Sequence, residues 1–191
     1  MKEIIRLVVV LGTICIVAGL ALAGVHSATK EPIEKQLLQS VKGPAVKVVL
    51  TDYDNDPIND NFKLPAGKDK KGRDVFQTVF PAKKGGQVTA LALDASGKGF
   101  AGEVGVMVGI TPDGRLTGIA ITKHSETPGI GSRVTEPKFT EQFKGKPVDD
   151  PTSVDGVSGA TYSTKGVFAA VTAAVEYYKN NKNEILAKAG Q

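Results

Sequence analysis

The chain opens on an uninterrupted apolar block and then becomes mixed. No Asp, Glu, Lys or Arg occurs from Leu7 to Thr29, and the run LVVVLGTICIVAGLALAGV is long enough to cross a bilayer core, which requires roughly 20 helical residues. This predicts a transmembrane helix; small residues at Ala21 and Ala23 leave a cleaved signal peptide as the competing reading. Lys2, Arg6 and the amino terminus outweigh Lys30 beside Glu31, so the short leading end is expected in the cytoplasm and the body of the chain across the membrane. KEPIEKQLLQSV then predicts a short helix or stalk that Gly43-Pro44 ends. The expected division is 1–29 for the tip and anchor, 30–43 for the stalk and 44–191 for one exported domain.

Within that domain short alternating or apolar runs predict strands at VKVVLT (Val46 to Thr51), DVFQTVFPA and QVTALALDA. The clearest pair is EVGVMVGI and LTGIAIT: Val104, Val106, Val108 and Ile110 share one face, and TPDGR supplies the turn at Asp113-Gly114. GKDKKGR, Gly67 to Arg73, reads as a basic turn. The acidic run DYDNDPIND reads as an exposed loop, because Pro57 and Lys63 stand where a calcium-binding loop needs glycine and glutamate. KHSETPGIGSRV holds too many turn formers for regular structure. Phe139 and Phe143, at helical spacing, predict a short helix over Pro137 to Phe143. The last helix is expected to start near Ser163 or Thr164, capped by a Ser or Thr oxygen, and to run to about Asn180 with Val167, Val171, Ala174 and Tyr178 buried. The fold class is α+β: one exported domain with a mixed or antiparallel sheet and packed helices, after an N-terminal transmembrane helix.

Composition changes this picture at two points. The single cysteine, Cys15, lies in the apolar block, and only His26 and His124 are present, so the sequence offers no intramolecular disulfide and no Cys/His set for zinc or an iron–sulfur centre. Redox chemistry would need a bound organic cofactor or a partner's haem. The net charge of +4 is modest and no nucleic-acid recognition motif occurs, so no nucleic-acid partner is expected.

Candidate chemistry concentrates in DGVSGATYSTKGVFAAV, Asp155 to Val171, where small turn-forming residues run directly into the final helix. Free N–H groups and a partial positive charge at a helix start suit a phosphate, and Gly156 and Gly159 let the backbone turn closely around one; the same residues also suit a plain helix cap.

DGVSGAT resembles the flavinylation motif of the FMN-binding domain family that includes the G subunit of the Rnf complex and the C subunit of the sodium-pumping NADH:quinone reductase. GKGFAGEVGVMVGI (Gly97 to Ile110) and HSETPGIG (His124 to Gly131) resemble further blocks of that family, in the same order. Phe100 stands where the family often has tyrosine, and Ile130 where it often has leucine. The resemblance implies covalent FMN, joined through its phosphate by a flavin transferase to Thr161, with Asp155, Gly156, Ser158, Gly159 and Ala160 presenting that threonine. It also implies an isoalloxazine ring against ETPGIG, with Thr127 and the backbone around Gly129 as hydrogen-bond partners and Glu126 nearby. Glu126 reads equally as a solvated turn residue, and Lys165 either approaches the phosphate or faces solvent. No residue is expected to act as a catalytic acid or base: the cofactor carries electrons and the protein attaches and orients it. The implied role is an electron relay in an ion-translocating ferredoxin:NAD oxidoreductase complex of the cytoplasmic membrane, beside integral-membrane and redox subunits. The alternatives are the corresponding quinone-reductase subunit and an exported binding module without flavin.

Overall fold

The computed structural model describes residues 2–68 and 72–190, so Asp69, Lys70 and Lys71 of the expected basic turn lie outside the described residues. The chain divides into two units, residues 1–40 and 41–191. The first is built on helix α1 (Lys2–Leu37), whose segment Lys2–Lys30 has a mean hydropathy of 2.6 and is unburied. Among the described residues it is the helix long and apolar enough to span a membrane; its hydrogen bonds close within the segment, as hydrocarbon demands.

A π-helical turn, Leu38–Lys42, and a short helix, α2 (Gly43–Val49), follow in the chain. Five strands come next: β1 (Phe62–Lys68), β2 (Asp74–Lys84), β3 (Gln87–Lys98), β4 (Glu103–Ile110) and β5 (Leu116–Lys123). They form one sheet in the order β1-β2-β3-β4-β5, every pair antiparallel. A consecutive meander needs only short connections, such as the turn where the Gly114 N–H donates to the Thr111 carbonyl at 2.9 Å with Gly114 at φ +86°. Beyond β5 lie a 3₁₀ turn (Gly131–Thr135), the short helix α3 (Pro137–Thr140) continuing as a 3₁₀ turn (Glu141–Phe143), and the long helix α4 (Thr161–Ala189).

Strand β4 is buried on both faces because it has helices on both sides. Val104, Val106, Val108 and Ile110 enter the main core with Val167, Val171, Ala174 and Tyr178 of α4, the stripe that helical periodicity predicts. The alternate residues face α2, where the backbone approaches so closely that a Cβ at Gly109 would stand 2.7 Å from the Val49 carbonyl oxygen. Phe139, Phe143 and Phe168 close the core beside α4, with ring centroids 5.4 to 6.4 Å apart.

Four expectations are corrected. Val46 to Thr51 is not a strand: α2 ends at Val49, and its buried residues Ala45, Val46 and Val49 follow a helical spacing against β4 and β5. Pro44 opens that helix from its first turn rather than ending a stalk. Strand β1 takes in Gly67 and Lys68 of the expected basic turn, and its Pro65 is accommodated at the sheet edge, where proline costs no ladder bond on its open side. Helix α4 starts at Thr161, and continues past Asn180 to Ala189 through a non-helical Asn181 (φ −120°, ψ 15°), because Ile185 and Ala189 still reach the core. Its first turn has no side-chain cap.

Candidate functional site

The start of α4 is held against the β3–β4 turn by backbone proximity. A Cβ at Gly97 would stand 2.1 Å from the Gly166 carbonyl oxygen, and one at Gly166 would stand 2.9 Å from Gly99 Cα. Glu126, only 4% exposed, pins the junction. Its Oε1 accepts the Phe100 and Ala101 N–H groups at 3.0 Å each, and its Oε2 accepts the Ser163 hydroxyl. Burial pushes this carboxyl up, but the Ser163 hydroxyl and the N–H groups of Ala101, Phe100 and Gly102 outweigh it and hold the group below the usual carboxylate value. Both oxygens of the ionised form thus accept hydrogen bonds, which is the condition under which a buried charge persists.

Three side chains from three elements grip the loop that leads into α4. The Asp155 N–H donates to Gln142 Oε1 at 2.9 Å, the Val157 N–H donates to Thr164 Oγ1 at 3.1 Å, and Arg133 Nη1 donates to the Ser158 carbonyl at 3.3 Å. Gly156 packs onto Thr164, where a Cβ would lie 3.2 Å from Cγ2, and Gly159 takes φ +80° to reverse the chain into the helix. Ser163 and Thr164, expected as caps, instead serve Glu126 and this loop. Thr161 becomes the first helical residue, its side chain exposed and its turn's N–H groups without a side-chain partner.

Between these features lies a cavity of about 290 Å³. Glu126, Thr127, Ile130 and Gly131 form one wall and residues 159–163 the other, with the exposed Phe100 at the mouth. Phe100, Tyr162 and Ile130 are 72%, 64% and 56% exposed, and the first two rings approach to 6.1 Å between centroids. Large apolar groups this exposed at one rim mark a surface for an apolar ligand or a partner. An isoalloxazine fits that chemistry, and the uncapped start of a long helix fits a phosphate beside the Thr161 hydroxyl.

Of the residues expected from sequence, Glu126, Thr127, Gly159, Ala160 and Thr161 converge on this cavity. Asp155, Gly156 and Ser158 line a neighbouring groove with Arg133, Lys138 and Gln142. The Gly129 N–H donates to Ser132 Oγ at 2.9 Å and so shapes its own turn, while Lys165 and His124 are exposed outside the cavity. Tyr162, Ser163, Thr164 and Gln142 were missed as site residues. Tyr162 had a signal in its place beside Thr161, whereas Gln142, between helix residues some 13 positions from its partner, had none.

An FMN-binding domain model matches residues 99–176, the stretch from the β3–β4 turn to α4. The G subunit of an ion-translocating oxidoreductase complex from Methanosarcina acetivorans is 31% identical over 92% of this chain and 95% of its own. The G subunit of the proton-translocating ferredoxin:NAD(+) oxidoreductase complex of Clostridium ljungdahlii is 29% identical over 85% of this chain and 84% of its own. Among solved structures, NqrC of Shewanella oneidensis matches with TM-score 0.53 and 26% identity over 75% of this chain and 82% of its own. The C subunit of the Na(+)-translocating NADH-quinone reductase of Parabacteroides distasonis shares the fold, with TM-score 0.56 and 19% identity over 81% of this chain and 94% of its own. With the cavity and the start of α4 inside the matched segment, and with a relative 31% identical over 92% of this chain, the chain belongs to the RnfG/NqrC family of FMN-binding-domain subunits of ion-translocating oxidoreductase complexes.

Proposed function

We propose that the chain is the G-type electron-relay subunit of an Rnf complex, carrying FMN esterified through its phosphate to Thr161 Oγ. The observation that carries this reading is the meeting of an exposed threonine hydroxyl, an uncapped helix start and an apolar-rimmed cavity within the FMN-binding segment. The G-type reading is favoured over the C-type one by a relative that is itself a G subunit and aligns over 92% of this chain.

FMN supplies the electron acceptance and release; the chain supplies attachment, orientation and shielding. Thr161 would hold the phosphate, with the N–H groups of the first α4 turn in support. Phe100, Ile130 and Tyr162 would hold the ring at the cavity rim, and Thr127, which lines the same cavity, would be its hydrogen-bond partner. Gln142, Arg133 and Thr164 keep the loop in the shape that presents Thr161 to a flavin transferase. Lys2 and Arg6 keep the leading end in the cytoplasm, so the flavin domain faces the other side of the membrane, beside the integral subunits of the complex.

Intact-mass analysis with peptide mapping, on chain produced with and without a flavin transferase, tests this. A transferase-dependent gain equal to FMN minus water on Thr161, absent from Thr161→Ala, is the expected result. Wild-type chain that gains no mass, or gains it elsewhere, refutes the assignment of Thr161.

A further inference from the structure

Glu126 is the one buried carboxylate among the described residues, and it stands in the wall of the cavity. Glycines surround it closely: a Cβ at Gly99 would lie 2.5 Å from Oε1, and one at Gly131 would lie 2.7 Å from Oε2. Its donors belong to the rim. Phe100 and Ala101 give N–H groups from the β3–β4 turn, and Ser163 gives its hydroxyl from the first turn of α4. The carboxylate thus joins the element bearing Phe100 to the element bearing Tyr162, and no Lys or Arg is among the groups that hold it ionised.

A neutral amide would make most of those bonds without the cost of burying a charge. The charge itself therefore calls for an account. We propose that Glu126 is a positioning residue that also sets the electrostatics of the flavin site: it fixes Phe100 and Tyr162 across the mouth and places a negative charge in the cavity wall, opposing reduction of a flavin bound there. The inference rests on the flavin reading of the cavity. A reduced flavin gains electron density, so an adjacent fixed anion raises the free energy of the reduced state and lowers the midpoint potential. The Ser163 hydroxyl dipole partly offsets that field.

Two substitutions therefore shift the potential in opposite directions. In Glu126→Gln the charge is lost and the Phe100 and Ala101 N–H groups keep an acceptor, so the midpoint rises; a tenfold change in the two-electron equilibrium is about 30 mV. In Ser163→Ala the charge remains and one compensating donor is lost, so the midpoint falls. The experiment is a spectroelectrochemical titration of the full-length chain in detergent carrying FMN, with thermal melting of the flavin-free chain alongside. General loosening of the rim would lower the melting temperature of both variants and move both potentials one way. Opposite shifts support the proposal. Shifts of the same sign, or none in either variant while flavin is retained, overturn it. Should Glu126→Gln fail to fold, an unchanged or raised potential in Ser163→Ala still overturns it. A wild-type chain that retains no flavin refutes the function proposed above instead.

Discussion

At the residue scale the site is defined by groups that have no freedom to be otherwise. Glu126 couples folding to pH with a definite sign. Its native carboxyl lies below the usual value, so its contribution is complete above the unfolded carboxylate value and is lost as pH falls through the lowered native one. The wild-type melting temperature is expected to drop on entering that acid range, and Glu126→Gln to drop less; parallel curves would mean that Glu126 does not carry the effect. The glycines separate by mechanism. Gly97→Ala drives a methyl against the Gly166 carbonyl, an overpacking cost of about 1–3 kcal/mol. Gly159→Ala meets open space and costs only the left-handed backbone, about 1–2 kcal/mol. Urea midpoints should therefore order wild type above Gly159→Ala, and Gly159→Ala level with or above Gly97→Ala. Both glycines fall in blocks that carry the family resemblance, Gly159 in DGVSGAT and Gly97 at the start of GKGFAGEVGVMVGI, but the reason for Gly97 is not local: its constraint comes from a helix some 70 positions away, and long-range contact leaves no local pattern.

At the scale of elements, residues 46 to 50 show where reading the pattern fails. VKVVL is rich in β-branched residues, and local propensity favours a strand. Tertiary packing decides instead: the segment caps the second face of β4 and β5, and Thr117 Oγ1 donates to the Val49 carbonyl there. The two descriptions differ in a measurable way. A strand puts Val46 and Val48 on one face, whereas α2 buries Val46 and leaves Val48 66% exposed. Val46→Ala should cost about 2 kcal/mol through lost burial and a residual cavity, and Val48→Ala should stay within about 0.5 kcal/mol of wild type. Equal losses at both positions would contradict the helix. By contrast β2 to β5 and the buried stripe of α4 were readable, because their periods of two and 3.6 continue long enough to outweigh propensity. The start of α4 lies two or three residues before the expected one because Ser163 and Thr164 look like caps, and their hydroxyls are committed to Glu126 and to the Val157 N–H.

On the scale of the whole molecule the two units face different solvents. Lys2–Lys30 spans about 44 Å at 1.5 Å per residue, more than the roughly 30 Å hydrocarbon core requires, and its Leu, Ile and Val side chains are exposed along the segment. Left in water they would forfeit the transfer free energy of many fully apolar side chains, each about 1.5–3 kcal/mol. Residues 41–191 contain a core of their own, with all five strands, α2 and α4 packed within that unit. A chain beginning at Val41 should therefore be soluble without detergent and unfold in one cooperative transition, while the full chain should resist alkaline extraction from membranes. Signal-peptide cleavage makes the opposite forecast for the second measurement: the mature chain would start near Gly24, lack the apolar segment and leave the membrane at high pH. Amino-terminal sequencing of the membrane-extracted protein separates the two, because a retained anchor shows Met1 or Lys2 first, and only a retained anchor confines an electron carrier to the membrane plane where integral partners can meet it.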